Sequence, residues 1–225
     1  ALRIMELWEE AGLPDGVLNM VTAGREQAEL LLRHPDIKGI SFVGSTKIGL
    51  HIYSTAAASG KRVQALCEAK NHALVLRDCK LERTAAGIMN AFTGCAGERC
   101  MALPVVVAEN AIADQLVALL KKNAEAINLG KAWLKDTGMG PVVNAGHKKF
   151  VEDWIDKAEA EGATIVLDGR NATPPEGCEN GFWVGPTIVD NVTEDMACGR
   201  EEVFGPVVFI KRVDNFEEGL EIMNN

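Results

Sequence analysis

The sequence predicts an α/β protein built on a mainly parallel sheet. Short apolar runs alternate with helical stretches along most of the chain, and strands separated by helices pair in parallel because each helix returns the chain to the same end of the sheet. The 225 residues suffice for one or two domains at about 150 residues each. Hydrophobic residues make up 47% of the chain, enough for a packed core, so a disordered chain is excluded.

The first part of the chain begins with a helix and continues with alternating strands and helices. Apolar residues recur at helical spacing over Leu2–Glu10, and Gly12 and Pro14 then end the helix. Apolar runs bounded by turn residues predict strands, and amphipathic stretches between them predict helices. The predicted strands are 17–21, 37–43, 62–66 and 72–76, and the predicted helices are 26–33 and 46–58.

The alternation starts again after residue 78, which predicts a second domain with a boundary between Leu66 and His72. Its predicted helices are 81–92, 111–127, 148–161 and 216–223. Its predicted strands are 104–108, 165–167, 184–189 and 207–213. The stretch 169–181, with two prolines and three glycines, is the most loop-like part of the chain.

Composition and charge argue against several classes of protein. Thirty-two acidic and 23 basic side chains give a net charge of −9, the wrong sign for binding nucleic acid phosphates. No apolar run reaches the roughly 18 residues of a membrane span, and the first residues do not resemble a signal peptide. The six cysteines lack C-x-x-C spacing for zinc. We expect a soluble intracellular protein with no metal, no nucleic acid and no membrane partner, in which most thiols are buried.

A candidate phosphate site lies where a predicted strand leads into a predicted helix through Gly44 and Ser45. Free N–H groups at a helix start, together with the positive end of the helix dipole, suit a phosphate or pyrophosphate. The segment matches neither G-x-G-x-x-G nor the P-loop pattern. The alternative is a plain N-cap, in which Ser45 itself satisfies the first-turn N–H groups.

Cys100 differs from the other cysteines in its surroundings. It follows Gly97 and Arg99 after a predicted helix, and glycine permits a tight turn while an adjacent cation favours the thiolate that attacks carbon. The alternative is a buried structural cysteine. The four histidines form no signature of a Cys–His or Ser–His catalytic site.

Two carboxylates and an aromatic ring precede the last predicted strand, in the run E-E-V-F-G-P at residues 201–206. The carboxylate of Glu202 can accept hydrogen bonds from a ribose diol, and the ring of Phe204 can flank a nicotinamide. The alternative is a pair of solvated acids before a packed phenylalanine.

These segments occur together and in a characteristic order. The chain carries F-V-G-S-T-x-x-G, A-K-N-H, F-T-G-C-A-G-E-R-C, G-F-W-V-G-P-T and E-E-V-F-G-P-V. Together they resemble the aldehyde dehydrogenase superfamily over the whole chain. Around Cys100, at residues 64–72 and at residues 181–187, the sequence is most similar to the methylmalonate-semialdehyde dehydrogenase branch of that superfamily.

The resemblance implies a fold and a set of site residues. Residues 1–68 would be the later part of a Rossmann-type NAD-binding domain, and residues 69–225 a C-terminally truncated α/β catalytic domain. The implied site consists of the nucleophile Cys100, Ser45 at the pyrophosphate, Cys67 beside the nicotinamide, the ribose-binding Glu202 and the nicotinamide-flanking Phe204.

Arg99 is a candidate for binding the substrate. A planar guanidinium next to the nucleophile can pair with a carboxylate two carbons from the aldehyde. The alternative is a structural ion pair with Glu98.

The chain departs from the family pattern in two ways. Family members are much longer, and the segments that supply an oxyanion-binding Asn and an adenosine-ribose Lys would precede Ala1, while the oligomerisation strands would follow Asn225. In hydrolytic members a Glu stands four residues before the lysine of E-L-G-G-K, and here that position is Leu66. Glu68 is in a different register.

The implied function is NAD-dependent oxidation of methylmalonate or malonate semialdehyde through a thioester on Cys100. Carbon dioxide would be lost and the acyl group passed to coenzyme A (CoA), because no carboxylate at Leu66 activates water. The alternatives are a hydrolytic aldehyde dehydrogenase and an inactive binding or assembly module. The resemblance also implies a homo-oligomer, a dimer or tetramer, in the bacterial cytoplasm or the mitochondrial matrix.

Overall fold

The computed structural model describes residues 1–224, which divide into two compact units. One unit covers Ala1–Glu68, and the second starts at Ala69. Among residues 1–224, no helix combines the length and the apolar character that a membrane span requires.

The first unit contains a small parallel sheet and helices. Its elements are α1 (Leu2–Glu10), α2 (Arg25–Arg33), β1 (Gly39–Val43), α3 (Thr46–Ala58) and β2 (Arg62–Leu66). Strand β1 pairs in parallel with β2, from Gly39 opposite Arg62 to Val43 opposite Leu66. Because the strands are parallel, both carboxyl ends lie at the same edge of the sheet.

The second unit is built on a five-stranded sheet in the order β3-β4-β7-β6-β5. Its elements are β3 (His72–Val75), α4 (Leu81–Thr93), β4 (Val105–Glu109), α5 (Asn110–Glu125), α6 (Ala145–Ala160), β5 (Thr164–Leu167), β6 (Thr187–Asp190), β7 (Val207–Val213) and α7 (Phe216–Asn224). Strand β5 runs antiparallel to β6, and the other pairs are parallel. The predicted α/β class with a mainly parallel sheet is confirmed.

Helices cover both faces of this sheet, which is why its central strands β4, β6 and β7 are buried at almost every position. In β4, Val105 and Val107 belong to the core on the side of α6, whereas Val106 and Ala108 belong to the core beneath α4 and α5. Successive side chains of a strand point to opposite faces, so a strand between two helix layers buries both sets. Burial of each valine contributes about 1.5–3 kcal/mol.

Most predicted helices and strands are confirmed to within a few residues, and two predictions are wrong in an informative way. Residues 17–21 form no strand, and Val17 and Val21 are exposed in a loop. Strand β6 begins at Thr187 and not at residue 184, because Pro186 has no N–H for the ladder. The N–H of Gly185 donates instead to the carbonyl of Gly169 over 2.8 Å.

Candidate active site

A left-handed turn follows helix α4 and prepares the position of the candidate nucleophile. Cys95, Ala96 and Gly97 have positive φ angles of 52°, 53° and 73°. A Cβ atom on Gly97 would lie 2.0 Å from the carbonyl oxygen of Gly205. This turn is therefore in direct backbone contact with the loop that carries Glu202, and a glycine is required at the point of contact.

Cys100 lies in the next turn, just before β4. The N–H of Ala102 donates to the carbonyl of Arg99 over 2.9 Å and closes this turn. The Cys100 side chain is exposed, and its backbone N–H donates to no backbone carbonyl in the described part of the chain. That N–H is therefore available to an oxygen atom of a bound molecule.

The other thiols are less buried than the sequence analysis expects. Cys198 is the buried one among the described cysteines, Cys67, Cys79 and Cys178 are partly buried, and Cys95 is exposed like Cys100. The expectation that most thiols are buried is wrong, because none of the six lies on an inward-facing position of a strand or α-helix.

A pocket within the second unit brings four of the six selected residues together. Cys100, Arg99, Glu202 and Phe204 all line it. The pocket lies where the segment after α4 meets the loop before β7, at the amino ends of β4 and β7. Ser45 and Cys67 belong to the first unit.

Arg99 is anchored on the end of helix α4. Its Nη2 donates to the carbonyl of Asn90 over 2.7 Å and to that of Ala91 over 3.2 Å. A guanidinium at a helix C-terminus complements the negative end of the helix dipole. Its Nε is buried and has no hydrogen-bond partner among the described residues. The alternative ion pair with Glu98 is absent from the described residues, since Glu98 bonds elsewhere.

Phe204 is held by a histidine that the sequence analysis did not select. Nε2 of His147, on α6, donates to the Phe204 carbonyl over 2.6 Å, and Oε1 of Glu98 lies 3.5 Å from the same nitrogen. The His147 and Phe204 rings meet edge to face, with centroids 6.2 Å apart. Phe204 has a φ of 53°, so these contacts stabilise an otherwise unfavourable backbone conformation.

Lys70 fastens the same loop from its other end. Its Nζ donates to the carbonyl of Glu201 over 2.6 Å and lies 4.5 Å from the centroid of the Phe209 ring. Burial lowers the pKa of Lys70 to about 8, because the ammonium loses much of its hydration. Neighbouring Cys198 and, to a smaller extent, Glu202 favour the charged form and oppose this effect.

The first unit places Ser45 and Cys67 at one edge of its sheet. Ser45 is the N-cap residue of α3, but its side chain makes no capping hydrogen bond with any described residue. The alternative in which Ser45 itself satisfies the first-turn N–H groups is therefore wrong. A Cβ atom on Gly49 would lie 2.2 Å from Sγ of Cys67, so this thiol packs on the first turn of α3. The open helix end, with no acidic residue in the first turn of α3 as described, fits an anionic group.

The position that distinguishes hydrolytic relatives holds an apolar side chain. Strand β2 ends at Leu66, whose side chain is exposed. Glu68 is also exposed and lies past the end of the strand, in the link to β3. Residues two apart within one strand point to the same face, but Glu68 is outside β2, so this rule does not place its side chain beside that of Leu66.

Two residues that the sequence analysis does not name, Asn71 and His147, contact the segments that carry the candidate site residues. Asn71 bonds to the turn of Cys100 across 29 residues of sequence, and His147 bonds to Phe204 across 57. Neither pairing leaves a local pattern in the sequence, although Asn71 stands inside the A-K-N-H motif.

In the described residues, no cluster of His, Cys, Asp and Glu could hold a metal ion.

Comparisons with known proteins agree on one family. The sequence model of the aldehyde dehydrogenase family matches residues 1–225. Malonate-semialdehyde dehydrogenase 1 of Geobacillus thermodenitrificans is 47% identical over 224 residues, and its counterpart in Oceanobacillus iheyensis is 44% identical. Both alignments cover 100% of this chain and 46% of the relative. The chain thus spans about half the length of the curated relatives it matches.

Solved structures show the same likeness. The methylmalonate-semialdehyde dehydrogenase of Oceanimonas doudoroffii superposes with a TM-score of 0.93 at 43% identity, over 98% of this chain and 45% of that one. A Sinorhizobium meliloti protein described as a methylmalonate-semialdehyde dehydrogenase, in complex with NAD, gives a TM-score of 0.93 at 40% identity over the same shares.

Proposed function

The chain belongs to the aldehyde dehydrogenase family, and from this premise we propose that it forms the thiol-bearing part of an NAD-dependent, CoA-acylating semialdehyde dehydrogenase. The substrate would be malonate or methylmalonate semialdehyde. One observation carries the proposal: the exposed Cys100 and the cationic Arg99 line the same pocket.

Cys100 would act as the nucleophile. Its thiolate attacks the aldehyde carbon, and the carbonyl oxygen becomes the oxyanion of a tetrahedral thiohemiacetal. The backbone N–H of Cys100, which donates to no backbone carbonyl among the described residues, can donate to this oxygen. Collapse of this intermediate with loss of hydride leaves an acyl thioester on Cys100.

Several residues fit the proposed NAD cofactor. NAD, when bound, supplies the acceptor for the hydride. The open N-terminus of α3 at Ser45 suits its pyrophosphate, and Cys67 lies at the same edge of the β1–β2 sheet. Glu202 can accept hydrogen bonds from a ribose, and Phe204 offers an aromatic ring. From Ser45 and Cys67 we propose that residues 1–68 belong to the NAD-binding domain, and from Cys100 that residues 69–225 form the catalytic domain.

Arg99 would bind the carboxylate of the substrate. Oxidation places that carboxylate beta to the thioester carbonyl, so carbon dioxide can leave with its bonding electrons passing into an enolate. The donor that serves the first oxyanion can serve this enolate oxygen too. Protonation gives an acetyl or propionyl thioester on Cys100, which a second thiol, that of CoA, then releases.

Substitutions at Leu66 and Glu68 test whether CoA, and not water, releases the acyl group from Cys100. The test uses the long form, meaning a chain of the relatives' full length that contains residues 1–225. We expect steady-state NADH formation by the long form to require CoA, because Leu66 cannot activate water. Glu68→Gln should leave this turnover within a few-fold, since Glu68 lies past the strand and takes no part. Leu66→Glu should raise the CoA-independent rate.

The outcome that would contradict CoA-acylating activity is specific. If Glu68→Gln abolished steady-state turnover while a burst of NADH survived, Glu68 would be the deacylating base. The hydrolytic alternative would then replace our proposal. A long form that bound no NAD in a titration would instead support a binding or assembly module.

The role of Arg99 is testable by comparing two substrates. In the long form, we expect Arg99→Leu to lower kcat/KM for malonate semialdehyde by about a hundredfold, because a charged partner of the substrate carboxylate is lost. Propanal has no carboxylate, so its kcat/KM should fall much less. This internal control corrects for the loss of the contacts between Arg99 and the end of α4. Equal losses for both substrates would show that Arg99 is structural.

A further inference from the structure

We propose that Asn71 is a positioning residue for Cys100, holding the turn that presents the nucleophile. The inference deepens the proposed function and rests on it in one respect, namely the assignment of Cys100 as the nucleophile. It adds a residue to which the sequence analysis gave no role.

The side chain of Asn71 binds the backbone of the turn at two positions, one before and one after Met101. Its Nδ2 donates to the carbonyl of Cys100 over 2.9 Å and to the carbonyl of Ala102 over 2.8 Å. A side-chain amide has two N–H donors, so these two bonds use both of them. Asn71 also lines the pocket.

Asn71 itself is fixed to the sheet. It immediately precedes β3, and its backbone carbonyl accepts a hydrogen bond from the N–H of Val105, the first residue of β4. The amide therefore reaches the turn from the edge of a rigid element. The position of the Cys100 backbone is tied in this way to the β3–β4 pair and not only to its own loop.

The turn is held at its start by Arg99, which is anchored on α4, and at its end by the buried Ala102, but the residue between Cys100 and Ala102 adds no support. Met101, between the two carbonyls that Asn71 binds, is 84% exposed and packs on almost nothing. The bond from Ala102 to Arg99 closes the turn but does not place it against the sheet. Since a misplacement of about 1 Å at a reacting group can cost about a hundredfold in rate, loss of the Asn71 bonds should be felt in catalysis.

Aspartate offers the sharpest substitution at this position. It has the shape of asparagine but no N–H, and its charge would face two carbonyl oxygens. We expect Asn71→Asp in the long form to lower kcat by about a hundredfold, with the KM for NAD within a few-fold of the unchanged enzyme. Asn71→Ser keeps one hydroxyl donor and should lose less.

Asn224→Asp is the matched control. Nδ2 of Asn224, on α7, donates to the backbone carbonyl of Leu220 over 2.7 Å, so this change removes the same type of bond from the same unit. We expect it to leave kcat unchanged. If Asn71→Asp and Asn71→Ser both retained full kcat, or if Asn224→Asp lost as much as Asn71→Asp, the positioning role would be overturned.

A second measurement does not depend on catalysis. Alkylation by iodoacetamide at pH 7, followed by peptide mapping, compares labelling of Cys100 with that of Cys95, which is also exposed. We expect the Cys100 to Cys95 ratio in the long form to fall in Asn71→Asp, to fall less in Asn71→Ser, and to stay constant in Asn224→Asp. An unchanged ratio in both Asn71 variants would refute the positioning role, whether or not the protein proves to be a dehydrogenase. If Asn71→Asp does not fold, Asn71→Ser decides both measurements.

Discussion

Cys100→Ala in the long form is expected to lower NADH formation by about ten-thousandfold or more, because loss of a catalytic nucleophile removes the covalent route altogether. The measurement is the pre-steady-state burst of NADH with malonate semialdehyde. Binding of NAD, followed separately by titration, should be preserved, since the substitution removes one sulfur atom from an exposed turn.

Cys95→Ala provides the control for this prediction. Cys95 precedes Cys100 by five residues, is exposed, and does not line the pocket. We expect this variant to keep the burst. A burst that survived in Cys100→Ala, or one that was lost only in Cys95→Ala, would contradict the assignment of the nucleophile.

Gly97→Ala is expected to destabilise the 225-residue chain by about 3 kcal/mol or more. An added Cβ would lie 2.0 Å from the oxygen of Gly205 and 2.8 Å from the nitrogen of Pro206, so backbone must move to admit it. The φ of 73° at Gly97 adds strain for any residue with a side chain. Chemical denaturation, with the free energy of unfolding extrapolated to water, measures the effect.

Gly87→Ala is the matched substitution without this conflict. Gly87 lies inside α4, and a Cβ there would meet nothing within 4 Å. Alanine favours the helix over glycine, so we expect stabilisation by about 0.5–1 kcal/mol. If Gly97→Ala and Gly87→Ala changed the free energy of unfolding by the same amount, the contact between Gly97 and Gly205 would not constrain the fold.

The sequence predicts most of the fold because its strands and helices have distinct periods. Strand β7 at Val207–Val213 is predicted at its observed bounds, since the apolar run at its start fits a strand covered on both faces. The same criterion fails at residues 17–21, where the run is apolar but pairs with no described strand. Pairing is a tertiary property, and a short apolar run does not encode it.

The site divides in a similar way. Cys100, Glu202 and Phe204 stand in local motifs, so the resemblance to a family finds them, and the pocket holds all three. The residues that hold these motifs in place act from a distance. Asn71 and His147 reach their partners across 29 and 57 residues, and only the folded backbone brings them together.

The partly buried Lys70 couples unfolding at alkaline pH to the uptake of a proton by its own side chain. With a pKa of about 8 in the folded chain and about 10.4 in the unfolded one, Lys70 is mostly neutral at pH 9 until the chain opens and then takes up a proton from the solvent. Its contribution to the free energy of unfolding therefore rises with pH between these two values, by up to about 1.4 kcal/mol per pH unit, and is least favourable below pH 8. The proton that Lys70 takes up on unfolding at pH 9 comes from the buffer, so the heat of this step should differ between an amine buffer and borate.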